Sequence, residues 1–321
     1  SLIMIPAEAQ GGQRVLEVHR KSMKRKLLAG LAIATLGFLT PVYAGITKVA
    51  STEVKSKTVN PFLADVKAGQ AKRIKYEIEA VAYFLFIPIT GKAEFETFLE
   101  GDSYSMDTQV KTTGLADIFV GYDLNVRSEG RILDHGLQTQ HYVSQNNDGK
   151  KNRRVELTYG EKDVALNVTP KWGDLGEPPA TPAQKLAAVD PATAMMHIAF
   201  APRKADNLCS ETVKTFDGKQ LTYLEFKYVG KKQLKTRAFN GMATECELIV
   251  NRVAGYNKGD VGKNLTGIEG PMKIFFGEPV DGFVPVLRLV VDTEDVGKIT
   301  LTANKINVSD IKSKENYRKK R

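Results

Sequence analysis

The stretch VDPATAMMHIAF, Val189 to Phe200, gathers the residues that most invite a chemical reading: one of the chain's four histidines stands beside two adjacent methionines. His197 could ligate a metal or act as a general base, and either role requires a second ligand or a carboxylate within reach. On a helix the position four residues before it is Thr193, not an acid, and its neighbours are Met195, Met196, Ile198 and Phe200. A structural histidine at the edge of a packed face is therefore the favoured reading. His135 and His141 lie six residues apart, about 20 Å along a strand, and can share one ion only if a turn folds them together. The patterns G-x-S-x-G, H-E-x-x-H, G-x-x-x-x-G-K-[ST] and G-x-G-x-x-G are all missing. GDVGKN (Gly259 to Asn264) lacks the spacing and the following helix of a phosphate loop, and reads as a surface loop. No two carboxylates are forced together for acid–base work. The sequence nominates no catalytic residue, no metal ligand and no cofactor site.

The two cysteines, Cys209 and Cys246, are the other reactive pair. A nucleophilic thiol needs a nearby base, and neither local sequence offers a histidine. Their separation is far from the C-x-x-C of redox or zinc sites. In an oxidising compartment an even pair forms a disulfide, and that is the expectation here.

The elements that must position these residues are mostly strands. From Arg73, Ile74, Tyr76 and Ile78 alternate with Lys75, Glu77 and Glu79, and AVAYFLFIPI then continues apolar on both faces up to Pro88 and Gly91. KAEFETFLE, SYSMDTQVKTT, DIFVGYDLNVRSEG and GLQTQHYVSQN follow as short strands. Turns are expected at Gly101-Asp102, Gly114, Gly130, Asp134-His135-Gly136 and Asn146 to Gly149. RRVELTYG and DVALNVTP read as a hairpin. So does the pair of strands around Asp217-Gly218. TRAFNGMATECELIVNRVAGY, PMKIFFGEP, FVPVLRLVVDT and GKITLTANKINV complete the set. Arg127, Arg131, Arg153, Arg154, Glu129 and Glu156 suggest charged pairs across neighbouring strands.

The strand pattern breaks at Lys171 to Pro182, a loop rich in Pro and Gly. Thr181 then fits a helix N-cap with Pro182 at N1 and Gln184 at N3, a capping box. Asp190-Pro191 repeats the cap-and-proline signal, so a second helix is expected from Pro191 to about Phe200. On it Ala192, Met195, Met196 and Ala199 share one face, widened by Ile198. Such a helix belongs against the concave side of a curled sheet. Met195, Met196, Ile198, Ala199 and Phe200 are accordingly expected either to fill the core or to line an apolar pocket, and the two overlap where the helix plugs the sheet incompletely.

The ends carry the rest of the information. MKRKLLAGLAIATLGFLTPVYAG, from Met23, has the basic start, apolar run and small-residue end of a cleaved signal peptide. Residues 1–22 read as an over-extended start, 23–44 as the signal peptide and 45–69 as a flexible lead-in. Residues 70–308 would be one β-rich domain and 309–321 a flexible basic tail. The formal charge of +9 is concentrated at the ends: residues 1–44 hold six Lys/Arg and two acids, and the last ten hold six and one. The body between is close to neutral, which argues against a nucleic-acid groove. No membrane span is expected in the mature chain.

With these residues in view, the chain resembles the secreted proteobacterial family called domain of unknown function 3108. The likeness rests on TTGLADIF and SEGRI, DPATAMM, VKTFDGKQLTYLEF after a cysteine, CELIVNRVAGY, and MKIFFGEP with VPVLRLVVDTEDVGKITL. They occur in that order over roughly residues 73–308. Ala192 and Ala194 stand where bulkier or hydroxyl side chains would be expected. The resemblance implies an exported envelope protein whose curled sheet wraps a helix, and it implies no reaction. The expectation is a mainly β fold, one large curled antiparallel sheet (a half-barrel or β-spiral) around a helical segment near 182–200. The function expected is that of a non-enzymatic periplasmic protein binding an apolar or lipid-like ligand, or an envelope partner protein, in the concave side. An envelope hydrolase with a nonstandard site and a purely structural interaction module are the alternatives.

Overall fold

Alternation with a period of two puts Ile74, Tyr76 and Ile78 on a buried face and Lys75, Glu77 and Glu79 on a more exposed one. Repeated along the chain, this pattern builds the whole molecule. The computed structural model describes residues 59–84, 87–113, 122–147, 152–200, 208–257, 259–262, 268–294 and 297–318. Strands β1 (Lys72–Phe84), β2 (Ile87–Glu100), β3 (Ser103–Thr113), β4 (Asp123–Leu133), β5 (Gly136–Asn146), β6 (Arg154–Tyr159) and β7 (Val164–Thr169) form one half. The other half comprises β8 (Thr212–Phe216), β9 (Leu221–Lys235), β10 (Asn240–Ala254), β11 (Ile268–Phe276), β12 (Val286–Thr293) and β13 (Gly297–Asp310). All thirteen belong to one antiparallel sheet in the order β7-β6-β5-β4-β3-β2-β1-β13-β12-β11-β10-β9-β8. The halves join at the β1–β13 ladder, where Tyr76 stands opposite Ile306.

The terminal strands β7 and β8 are not paired with each other, yet their surroundings touch. A Cβ built on Gly218, in the β8–β9 turn, would meet Val155 of β6 at 2.8 Å and Leu166 of β7 at 3.1 Å. The sheet therefore curls until its ends almost meet, and chain from outside the sheet seals the seam. Glu177 N donates to Tyr256 O and Gly255 N to Pro178 O, both at 2.8 Å. Two short helices follow, α2 (Pro182–Leu186) and α3 (Pro191–Ile198); for the numbering used here, α1 is Pro61–Lys67 and α4 is Lys314–Arg318. Val189, just before α3, bridges Thr215 of β8, donating to Lys214 O and accepting from Phe216 N.

Helix α3 is held at both ends. At its start the Asp190 carboxylate is fully buried and accepts five hydrogen bonds. Three come from the hydroxyls of Ser128 (2.9 Å), Thr139 (2.7 Å) and Thr193 (2.5 Å), and two from the backbone N–H groups of Ala192 (3.0 Å) and Thr193 (2.9 Å). Thr193 Oγ1 also bonds Tyr104 Oη of β3 at 2.7 Å. Burial pushes the Asp190 carboxyl up from its ordinary value, and the donors pull against that shift. At the other end His197 Nδ1 sits 2.8 Å from Leu137 O and 3.1 Å from Leu137 N of β5. Burial holds this imidazole below its ordinary value, opposed by the Leu137 carbonyl and the Glu211 charge. Gly136 makes the close approach possible, because a Cβ there would lie 2.5 Å from His197 Nδ1.

Several expectations are corrected. The apolar run AVAYFLFIPI is two strands of a hairpin, with Phe84 opposite Ile87, and β2 runs on through Pro88 and Gly91. The sequence gives no Gly, Asn or Asp at that reversal. Gly130 is not a turn but lies inside β4 opposite a bulge of β5, where Gln140 is the extra residue, and a Cβ on it would fall 2.0 Å from Gln138 O. The charged pairs Arg127–Glu129 (2.8 Å) and Arg154–Glu156 (3.6 Å) run along one strand rather than across two. The flexible lead-in gives way at its end to α1, capped by Asn60, whose Phe62 ring packs against Phe200 and Phe283 at 5.5 and 5.8 Å. Asn60 Nδ2 donates to Phe200 O (3.2 Å) and Gly282 O (2.9 Å), so α1 ties the end of α3 to the loop before β12. The expected basic tail likewise starts inside β13, which runs to Asp310, and continues to α4, where Tyr317 stacks under Arg73 at 4.5 Å and packs on Phe98 at 5.6 Å. Lysines and arginines that read as a solvated run hide one aromatic anchor. Residues 1–58, which carry the expected upstream extension, signal peptide and most of the lead-in, lie outside the described residues, as do Gly114 and residues 319–321.

Three outcomes follow from this packing. Asp190→Ala leaves buried hydroxyl and amide donors unpaired and should cost about 3 kcal/mol or more in chemical denaturation, with Asp190→Asn costing less because one acceptor oxygen remains. His197 stays neutral in the fold where the unfolded chain, with its ordinary value of about 6.5, takes up a proton. Stability should therefore fall as pH drops through that value, and His197→Gln should flatten the dependence of the urea midpoint on pH between roughly 7 and 5. Cys209 and Cys246 form a disulfide across 37 residues. Thiol labelling without reductant should find none, and reduction should lower stability by about 4 kcal/mol on the chain-entropy scale.

Candidate functional site

The capping chemistry read from the sequence decides where the α3 side chains point. Thr181 Oγ1 accepts from Gln184 N at 3.3 Å, and Gln184 Oε1 accepts from Thr181 N at 2.9 Å, which starts α2. Asp190 then starts α3 against β4 and β5. With the helix axis so fixed, its apolar residues divide between two clusters. Ala192, Met196, Ala199 and Phe200 pack into the cluster that takes in α1, the β1–β7 half and residues of the other half such as Phe216, Leu221, Phe275 and Leu287. Ala194 and Ile198 pack with Cys209, Cys246 and the β9–β13 half. Met195 is half-buried between them, packed against both.

Along that divide the packing is incomplete. A chamber of about 120 Å³ lies against Met195 and Ile198 and is walled by β1 and β9–β13, through Ile78, Leu224, Phe226, Leu248, Ile274 and Leu289 among others; Arg288 is its one charged lining residue. An apolar cavity of about 150 Å³ admits a benzene-sized group, so the space here is on the scale of an alkyl chain end or a ring and well short of a whole lipid. Five residues were nominated from the sequence as pocket or core, and the structure divides them. Met195 and Ile198 line the chamber, whereas Met196, Ala199 and Phe200 are core.

A second cavity, about 240 Å³, opens beside the first and shares Ile198 and Phe226 with it. Its walls come from the β4–β5 turn (Leu133, Asp134, His135), from His197, and from Leu208 to Val213 at the start of β8. The disulfide anchors that last segment, because Cys209 is tied to Cys246 of β10. His197 thus gains a carboxylate neighbour, Glu211, that sequence spacing could not reveal, since 14 positions and a change of element separate them. The Glu211 charge acts on it through space, while its Nδ1 is engaged by the Leu137 backbone. His135 Nδ1 is buried with no hydrogen-bond partner among the described residues. His141 is elsewhere, on the outer sheet face, 3.0 Å from Glu156. Among the described residues no group of three or more His, Cys, Asp or Glu is placed to hold a metal ion.

A hollow of about 970 Å³, larger than either of these, is a wide depression on the outer face of β1–β6, with Glu94, Asp107, Arg127 and His141 in its lining. Several of its charges are neutralised by neighbours, as in Arg73–Glu96, Arg127–Glu129 and His141–Glu156. No described element covers it, so as described it offers little desolvation to a ligand. The interior pair of cavities is the better site despite its smaller volume, because apolar walls there remove a ligand from solvent.

No described helix is long and apolar enough to cross a membrane. Among curated proteins none matches the chain. Of solved structures, the chain is similar to a β-barrel-like protein of the domain of unknown function DUF1849 from Brucella abortus, at 9% identity and a TM-score of 0.45, covering 75% of this chain and all of that one. It is also similar to a DUF1329 family protein from Desulfovibrio piger, at 12% identity and a TM-score of 0.24, covering 77% of this chain and 87% of that one. A third is a putative outer membrane lipoprotein-sorting protein domain from Vibrio parahaemolyticus, at 11% identity and a TM-score of 0.25, covering 81% and 94%. The family model described as "Protein of unknown function (DUF3108)" matches residues 75–303, from within β1 to within β13, and the chain belongs to that family.

Proposed function

We propose that this protein is a non-enzymatic binding protein of the cell envelope, exported to the periplasm, which holds the apolar end of a lipid-like ligand in the chamber beside α3. The observation that carries the reading is the pair of adjoining cavities, a nearly all-apolar chamber and a polar-edged mouth, with Ile198 and Phe226 as their common wall. Apolar depth behind a polar rim is what an amphipathic molecule requires. Export is supported by the signal-like segment from Met23 and by the disulfide, which belongs to an oxidising compartment.

The scale of the chamber limits the ligand. Ligand pockets generally run from about 300 Å³ upward, and the two cavities only approach that together. A single alkyl chain end or a ring fits, and a two-chain lipid would have to leave most of its bulk outside. Met195 is the adjustable element, since its unbranched thioether changes shape at little cost. A hydrolase draws its one support from His197 and Glu211 in the mouth. The imidazole, however, is tied to the Leu137 backbone and, among the described residues, makes no hydrogen bond to Glu211 or Thr212, so neither is set against it as acid–base partner or nucleophile.

Protein isolated from the periplasm and sprayed under native conditions should carry a bound apolar molecule, and labelled medium-chain alkyl probes should bind it saturably. Met195→Trp, which fills the chamber, should weaken probe binding by about tenfold or more, a difference near 1.4 kcal/mol. Its thermal midpoint should remain within a few degrees of the parent. Absence of any retained molecule together with no probe binding would instead favour a purely structural interaction module.

A further inference from the structure

The β9–β10 hairpin is charged differently from the sheet around it. Between Phe226 and Thr244 the chain holds five cations, Lys227, Lys231, Lys232, Lys235 and Arg237, and no acid. All five are exposed. Lys231, Lys232 and Lys235 stand opposite Thr244, Ala243 and Asn240, so no carboxylate directly across the hairpin offsets them; Lys227 has Glu247 opposite. Arg288 of β12 joins them at the tip, its Nη2 donating to Lys235 O at 3.4 Å. A body close to neutral thus concentrates positive charge on one arm.

The same arm exposes apolar surface. Tyr228 is 44% exposed, Val229 57% and Met242 58%, and among the described residues no other element leaves more than one large apolar side chain so open. Strand β8 pairs with β9 only as far as Glu225, and β11 with β10 only from Thr244. Among the described residues Lys231 to Ala243 therefore have no third strand beside them. Leu234 and Ala243 are nevertheless buried, which anchors the tip.

A bare strand edge invites another strand, but this one is blunted. Val229 is the extra residue of a bulge, since Tyr228 pairs with Cys246 and Gly230 with Glu245. Bulges and edge lysines both oppose strand addition. Edge protection accounts for the lysines and leaves Tyr228, Val229 and Met242 in water without a reason. A lipid surface accounts for both. Ammonium groups meet anionic headgroups, while lysine stems and apolar side chains enter the interfacial layer. The arm also continues the chamber wall: Phe226 and Leu248, paired with each other, line the chamber, and Tyr228 is two residues further out along β9.

We infer that the β9–β10 arm is a docking surface for an anionic lipid bilayer, with Lys231, Lys232 and Lys235 on the headgroups and Val229 and Met242 in the interfacial layer. Docking brings the chamber to the lipid surface. The envelope location proposed above is its setting, but the contact belongs to the arm and does not require the chamber to be filled.

The test is cosedimentation of the full mature chain with vesicles of mixed phosphatidylglycerol and phosphatidylcholine, set against vesicles of phosphatidylcholine alone. Partition into the anionic vesicles should be about tenfold or more stronger, and added salt should weaken it. At about fivefold per lysine, Lys231→Ser with Lys232→Ser should lower it by about tenfold or more. Met242→Glu, at an exposed position, should lower it as well. Circular dichroism and thermal midpoints check that these variants fold. Replacing Lys319, Lys320 and Arg321 by serine removes the other basic run and should leave most of the binding, and Met195→Trp should leave it as in the parent. Equal partition into both kinds of vesicle, or none into either, would overturn the inference. So would loss of binding in the tail variant with none in the hairpin variants. Failure of the chamber to bind alkyl probes would leave it standing.

Discussion

A carboxylate without a cation lies at the centre of this fold. Asp190 is completely buried, and among the described residues no lysine, arginine or histidine pairs with it; three hydroxyls and two helix N–H groups hold it instead. Removing a charge from water costs several kcal/mol even after relaxation, so the arrangement holds only if every donor is in place at once. Ser128 comes from β4, Thr139 from β5, and the amides from the first turn of α3. The carboxylate thus measures whether two strands and a helix are correctly docked. Tyr104 of β3 extends the same network through Thr193. A helix of eight residues is too short to be stable by itself, and here its start is imposed by tertiary contacts rather than by propensity.

From that fixed point the rest of the interior follows. The sheet does not close by strand pairing, so its ends could drift apart. They are held by a segment that belongs to neither end: the loop at Glu177 and Pro178, the bridge at Val189, and α3 between the halves. Helix α1 closes one side by wedging Phe62 against Phe200 and Phe283, while Asn60 satisfies the carbonyls of Phe200 and Gly282. The disulfide then fastens the chain leaving α3 to β10. An open curled sheet gains from this a property that a closed barrel lacks, since the element in its seam can pack against two different walls.

Much of this was legible in the sequence because the signals were local. The caps at Thr181 and Asp190, the strand alternation and the Asp217-Gly218 hairpin are each decided by a few neighbouring residues. The misreadings were of another kind. Gly130 reads as a turn from the sequence, yet it lies in mid-strand opposite a bulge of β5, where the Gln138 carbonyl leaves no room for a Cβ. Phe62 and Tyr317 lie in polar or basic segments whose average composition conceals a single anchoring aromatic. The helix itself offers His197 no acid, whereas Glu211 is brought to it by the segment that the disulfide anchors at Cys209. The division of Met195 and Ile198 from Met196, Ala199 and Phe200 could not be read from a helical wheel either. A wheel assumes one wall, and α3 has two.

Two walls are also why a cavity exists. Side chains on a short helix can be matched to one packing surface in rotamer and volume; matching both surfaces with eight residues is over-determined. Here the match is made on the Asp190 side, where Met196 and Phe200 are fully buried, and left incomplete on the other, where Met195 is only half-covered. On the scale found for core truncations, about 24 cal/mol per Å³, a closed void of this size would cost on the order of 3 kcal/mol. That is a large part of the 5–15 kcal/mol by which folded domains typically exceed their unfolded chains. Exchanging Met195 for a bulkier residue is a single step that would reduce the void. The chamber is thus a costly feature with an easy remedy, placed where an apolar ligand would recover the lost contacts, and this argues for occupancy over loose packing.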